Sequence, residues 1–477
     1  MSESRSTLAP ALLRPSLYGV APDKVAMRAA QVPGMTSRLT TDLFPDSTPL
    51  IYPALNGKNN VLEATRKALE AVNLDQVEQN DTINVVVSHS PLAMMNGEPM
   101  TAALKAIREV LLERTPCRQV RLRVTGGSRF REQAELITHL GLDKIFEGKA
   151  KPVAALDRGV AIDTEIGRLW GLHKVYDSTW LFHVHTSDLR EVHFHRMLDR
   201  ALKPFGMAYA RGETRSAFHM SMGPRSAMFI CRAIFQSEFV QRRYLASCFL
   251  LVSPGGVAEV VAGNDLNQLG ERVTASALQE FGKMIQLMGE IDSCVAVLDA
   301  PMPVIYCTAA AIAYAAFASA REDVLDLDVA LPAFSTLSES LLNHGGNPLA
   351  PIPPIHPGLR ACVQNYAWRG SPFSTLPKLI PTQVVGKEQV EMFAGDSQNI
   401  SYMKHARPAE SLTQAIATAC AEAETDKILV FDNAIGGLNC SQSMAEYLDA
   451  LAPAVSAKVD RDLMPRWLSQ RGIAPKV

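Results

Sequence analysis

Five of the chain's eleven histidines fall between residues 183 and 219, as His183, His185, His193, His195 and His219, with Lys203 among them. Imidazole titrates near neutral pH and ligates metals, and a lysine amine can form covalent links. Lys203 follows His193 by ten residues and precedes His219 by sixteen. The pairs His183-x-His185 and His193-x-His195 stand at i and i+2. On a strand those positions share one face, so either pair could chelate a divalent metal. A second group lies upstream. The turn Thr125-Gly126-Gly127-Ser128 follows an apolar run and is a candidate anion cradle at a helix N-terminus. It matches neither GxGxxG nor GxxxxGK[ST]. His89 closes another apolar run, in Val87-Ser88-His89-Ser90-Pro91.

Strands and helices must bring these groups together. Ile83–Val87, Val120–Val124 and Trp180–His185 are short apolar or β-branched runs, which predicts buried strands. Helical periodicity covers residues 61–72 and 100–113. A helix is expected to start near Arg129, with Ser128 as N-cap. Asp163–Trp170 is ambiguous. Cys248–Ser253 and Val257–Val261 predict a hairpin turning at Pro254-Gly255-Gly256, followed by a long helix from about Asn264 to Leu287. A second strand-helix series begins at Cys294–Leu298. It continues through an alanine-rich helix at 308–320, a helix at 331–342 and a Gly/Pro-rich linker at 344–358. Val384-Val385, a helix from Ala409 to Ala423 and a strand at Ile428–Phe431 form a further unit, and the tail from Cys440 predicts one or two helices.

This alternation argues for an α/β protein of two domains, each a mostly parallel sheet flanked by helices, with the active-site cleft between them. The expected division is an N-terminal arm at 1–40, an N-terminal α/β domain at 41–270 holding the cofactor and catalytic residues, and a C-terminal α/β domain at 271–477. Ligands collect at the carboxyl ends of strands in such sheets, so the Thr125–Ser128 turn and the histidine stretch could share one crevice.

The totals narrow the function classes. A length of 477 residues exceeds a single core. With 47% hydrophobic and 20% charged residues the chain has the composition of a soluble globular protein. A net charge of −2 gives no basic face for nucleic acid or anionic membrane. The eight cysteines are scattered without a CxxC pair, as in a reducing cytoplasm. The start of the chain lacks a signal-peptide core, and the apolar stretch Thr308–Ala320 is shorter than the roughly 20 residues a bilayer requires. No HExxH or G-x-S-x-G occurs, so neither a zincin nor a serine hydrolase is indicated.

The His193–Lys203–His219 intervals resemble those of the lactate racemase family, whose members use a nickel-pincer nucleotide. In that family a histidine, a lysine ten residues on and a histidine sixteen beyond serve as acid/base, covalent cofactor tether and nickel ligand. Val192-His193-Phe194 and Phe218-His219-Met220 resemble the family's Pro-His-Tyr and Asn-His contexts, and Thr125-Gly126-Gly127-Ser128-Arg129 resembles its Thr-Gly-Thr-His-Arg turn. Weaker similarity extends over about residues 45–435. The resemblance implies a racemase or epimerase acting on a 2-hydroxy acid or related alcohol by reversible hydride transfer. It implies His193 as acid/base, Lys203 as tether, His219 on nickel, and Thr125, Gly126 and Gly127 at the cofactor. The family's second histidine falls on Ser128, and its arginine-bearing Asp-x-Thr-Arg-Pro segment falls on Val87–Pro91, which has no arginine. Its Gln-x-x-Lys pair falls near Ala310 and Ala313. His89 and Ser128 therefore stand as auxiliary catalytic groups. The alternatives are a non-catalytic relative serving as a binding or scaffold protein, and a plain divalent-metal enzyme using His183 and His185. The expected partner is a small-molecule substrate in the cytoplasm, with neither nucleic acid nor membrane; a homodimer is admitted.

Overall fold

A computed structural model describes residues 25–53, 59–126, 132–187, 201–220, 226–300, 323–329, 355–367, 376–395, 401–432 and 434–474. The chain divides into two compact units. The first comprises Pro49–Leu189 and His195–Leu278, the second Met1–Thr48, Arg190–Phe194 and Gln279–Val477. Each holds a seven-stranded, mostly parallel sheet with helices packed on it, so the protein is a two-domain α/β fold.

In the first unit the spatial order is β2-β10-β9-β8-β3-β4-β5, with strands numbered along the chain. The central strand β3 (Thr82–Ser88) is parallel to β4 (Gln119–Thr125) on one side and β8 (Trp180–Thr186) on the other. Beyond these lie β5 (Ala150–Pro152) and β9 (Tyr244–Ser253), also parallel. β10 (Gly256–Gly263) and β2 (Tyr52–Pro53) continue the sheet antiparallel. Parallel strands covered on both faces have no solvent side, which is why β3 and β8 are apolar runs rather than alternating ones. After the first residue of each, every position is buried in TINVVVS and WLFHVHT. The helix Glu98–Arg114 begins with Pro99 and an acidic Glu98 behind a left-handed Gly97, and ends on Arg114, the polarity that suits its dipole. Val61, Thr65 and Leu69, one turn apart, form the buried stripe of the helix Val61–Leu69.

The second unit has the order β1-β16-β15-β11-β12-β13-β14. β11 (Cys294–Ala300), β12 (Leu359–Ala367), β13 (Thr382–Val385) and β14 (Arg407–Ala409) run parallel, with β15 (Ile428–Phe431) parallel on the other side of β11. β16 (Gly437–Ser441) and β1 (Met35–Leu39) are antiparallel. Both sheets are therefore wound in the same way. After an edge strand (β2 or β1), the chain takes a central strand, moves outward, then returns to that strand's other flank, leaving a topological switch point at β3/β8 and at β11/β15.

The expected hairpin is β9–β10, and the helix after it is Leu266–Gly289. The ambiguous Asp163–Trp170 stretch belongs to a second hairpin, β6 (Gly159–Thr164) with β7 (Gly167–Leu172). Two expected boundaries move. Ala409 ends β14 rather than opening a helix; the helix is Leu412–Ala423, capped by the Ser411 hydroxyl accepting from Gln414 N. Cys440 lies in β16, and the tail helix starts at Gln442. The stretch GLNCS lacks a β-rich signature, and its pairing with both β1 and β15 is what makes it a strand. The helices expected at 308–320 and 331–342, and most of the linker at 344–358, lie outside the described residues. Among the described residues, no helix is long and apolar enough to cross a membrane, and the cysteines are free thiols, buried except for Cys420.

Candidate active site

The β3/β8 switch point brings several expected groups to one edge. Ser88 stands opposite Thr125 in the β3–β4 register, and Val87 opposite Val184 in β3–β8. Consequently Ser88, His89, Thr125, Gly126, His185 and Thr186 all lie where three adjacent strands end. Ser88 Oγ is 3.3 Å from His185 Nε2 across the switch point. His185 Nδ1 rests on the Thr186 backbone, 2.8 Å from its nitrogen. Ser88 and His185 are both about 2% exposed, so this hydroxyl–imidazole contact sits inside the protein.

His89 opens the short helix His89–Ala93, with its Nε2 3.3 Å from Ser90 Oγ. Its ring lies against Gly126, where an added Cβ would come within 2.6 Å of His89 Nδ1. Gly126 also has φ +84, a conformation that favours glycine. The Gln133 amide donates to the Gly126 carbonyl and holds the turn from the following helix. Thr125 is fully buried and its hydroxyl donates to Val87 O at 3.4 Å, so it fastens β4 to β3.

His183, two residues before His185 on β8, is fully buried among the rings of Phe205, Tyr209 and Phe249. Its Nδ1 is 2.5 Å from Tyr209 Oη, which in turn donates to Val86 O at 3.1 Å. The direction of the His183–Tyr209 hydrogen bond follows the imidazole tautomer. Nε2 has no hydrogen-bond partner among the described residues. Burial lowers the His183 pKa to about 3, against a smaller upward pull from the Ala201 backbone. The ring is therefore neutral at physiological pH. The two rings come within 6.1 Å of each other, yet His183 is bonded to Tyr209 and His185 to Ser88. Among the described residues no group of three or more His, Cys, Asp or Glu side chains could hold a metal ion. The His183/His185 chelate thus finds no third ligand there.

Lys203 is the first residue of the short helix Lys203–Gly206 and is only 4% exposed. Lysine is rarely buried so deeply. Its ammonium lies 5.9 Å from the centre of the Phe218 ring. Phe218 belongs to the helix Gly212–Met220, in which the next residue is His219. The His219 side chain, together with His193, Gly127 and Ser128, lies outside the described residues.

Two participants were not singled out from sequence. Ser88 had a signal, since it precedes His89 at the end of a β-branched run. Tyr209 had none, being 26 residues from His183 with no periodicity linking them.

No protein-family model matches the chain, and no curated protein matches it. Among solved structures, the lactate racemase apoprotein from Thermoanaerobacterium thermosaccharolyticum is similar at 10% identity and a TM-score of 0.38, over 79% of this chain and 92% of that one.

Proposed function

We propose that the chain is a racemase or epimerase of a 2-hydroxy acid or related alcohol, working by reversible hydride transfer at the carboxyl ends of β3, β4 and β8. The observation that supports this reading is the burial of Lys203 with its ammonium beside Phe218, the residue before His219. A solvated surface lysine needs no such place. A nickel-pincer nucleotide suits these residues: Lys203 would carry the covalent link and His219 would ligate the metal, since nickel accepts imidazole beside sulfur donors. When bound, that group supplies the acceptor and donor of the hydride.

The protein's own residues do the rest. His193 takes the substrate hydroxyl proton as the carbinol carbon loses its hydride and becomes planar, and returns that proton to the oxygen when the hydride comes back and the carbon is tetrahedral again. His89 lies against Gly126 at the strand ends and serves, with Ser128, as the auxiliary proton-handling group. The buried Ser88–His185 contact fixes the floor between β3 and β8. The residues Val87–Pro91 contain no arginine, so a substrate carboxylate would lack the bidentate grip that guanidinium gives. This favours a substrate whose carboxylate is held elsewhere, and it is also the feature that favours the second reading, a binding protein without catalysis.

Intact mass and metal content of the chain purified from its native host separate the two. Catalysis predicts a nucleotide-sized adduct and bound nickel, with the adduct lost in Lys203→Ala. An unmodified mass with no nickel overturns the catalytic reading and leaves the binding one.

A further inference from the structure

The segment Val25–Val32, which precedes β1, is held near the carboxyl ends of β11 and β12 in the second unit. Asp299 of β11 and Asn365 of β12 hold it, and they are bonded to each other, Asn365 Nδ2 donating to Asp299 Oδ1 at 2.7 Å. Asn365 Nδ2 also donates to Met27 O at 2.9 Å. Asp299 Oδ2 accepts from Arg28 Nε at 3.0 Å and from Ala29 N at 2.8 Å. Arg28 Nη2 donates to the Asp299 carbonyl, and the guanidinium lies 5.1 Å from the centre of the Tyr366 ring.

These contacts have the form of peptide recognition. They engage the carbonyl before an arginine, the arginine side chain, and the N–H after it. A carboxylate, a carbonyl and an aromatic face together suit the planar fork of a guanidinium better than the point charge of a lysine. Ala29, fully buried, packs with Val295, Val297 and Ala361, so the position after the arginine is enclosed. Met27 is 37% exposed, and the side chain before the arginine is left unread. The receiving residues are buried, Asp299 at 0%, Asn365 at 3% and Tyr366 at 1% exposure. They stand at strand ends beside the β11/β15 switch point, where open α/β sheets take their ligands.

The segment itself is lightly anchored. Of its eight residues only Ala29 and Val32 are buried. It joins β1 through Pro33 and Gly34, both exposed. Gly34 has φ +86, and among the described residues nothing lies within 4 Å of an added Cβ there. Few buried contacts place a segment at the low end of local stability. Val25, Ala26 and Met27 also wall a cavity of about 400 Å³ together with Asn365, so lifting the segment joins that cavity to the place of the guanidinium.

We propose that Val25–Val32 is an autoinhibitory strap over a site that takes an arginine-bearing segment of a partner protein, with Arg28 standing in for the partner's arginine. The site is independent of the chemistry proposed for the first unit. A tethered strap competes at an effective concentration on the order of millimolar, so the parent chain should bind a free peptide weakly. Fluorescence polarisation tests this with a labelled peptide of residues 25–32 and with its citrulline counterpart, which keeps the shape and loses the charge. Arg28→Ala should bind the arginine peptide on the order of tenfold more tightly than the parent chain does, and the citrulline peptide on the order of tenfold more weakly than the arginine one. Because Arg28→Ala also removes a buried ion pair, a second measurement uses the parent chain. Saturating arginine peptide should raise amide hydrogen exchange over residues 26–32 and leave β11 protected. The proposal is overturned if Arg28→Ala does not bind the arginine peptide, if the citrulline peptide binds equally, or if strap exchange is unchanged at saturation. Sedimentation at rising concentration identifies the source of the segment. A monomer throughout supports a partner protein, whereas a dimer abolished by Arg28→Ala puts a second copy's strap in the site and overturns the partner assignment.

Discussion

Gly126 and His89 share a space with room for one side chain: a Cβ at position 126 would stand 2.6 Å from His89 Nδ1. The backbone there has φ +84, so an alanine meets both a collision and a strained conformation. Gly126→Ala should cost about 1–3 kcal/mol, seen as a lower urea midpoint at constant slope. His89→Ala in the same background should recover the collision part but not the backbone part. Equal losses in single and double variants would show that the two residues do not compete.

The buried His183 makes stability pH-dependent in a definite direction. Its pKa falls from 6.5 to about 3 on folding, so the unfolded chain takes up the proton first. The stability that rests on keeping this ring neutral is complete above pH 6.5 and is lost as pH falls toward 3. In His183→Phe the aromatic surroundings are kept and Tyr209 still donates to Val86 O. The variant should lose roughly 1 kcal/mol at neutral pH and show a flatter acid limb in urea titrations. An acid limb as steep as in the parent chain would remove His183 as its source.

Arg28 forms an ion pair with Asp299 at 3.0 Å, and the aspartate side chain is fully buried. Asp299 also accepts from Ala29 N and Asn365 Nδ2. Burial raises the Asp299 pKa and Arg28 pulls it down; the Asp299 charge in turn helps burial raise Asp432 to about 6. Removing the cation strands a buried carboxylate, and Arg28→Ala should cost about 3 kcal/mol at pH 7. With the folded pKa higher still, the penalty applies above that pKa and shrinks as pH falls and Asp299 is protonated. Chemical denaturation at neutral and mildly acidic pH measures both; a penalty constant across that range would contradict the account.

Local composition was enough for the elements that lie wholly inside the sheets. Ile83–Val87 and Trp180–His185 are apolar without alternation because parallel strands are covered on both faces, and that pattern is visible in the chain. The winding order was not visible, since which strand flanks β3 depends on contacts between segments about a hundred residues apart, as Val85 with Phe182. The strand character of GLNCS and the hairpin at 159–172 were likewise created by pairing rather than by propensity.

For the site the division is similar. The sequence alone determined the inventory: His89 and His185 at strand ends, a glycine turn after β4, and Lys203 with His193 and His219 at fixed intervals. Only the tertiary structure decided what each can do. It buried Lys203 beside Phe218 and gave His183 to Tyr209 and His185 to Ser88. The reason is physical. Spacing along a chain fixes which residues share a face, whereas protonation, ligation and hydrogen bonding depend on burial and on neighbours that distant segments supply.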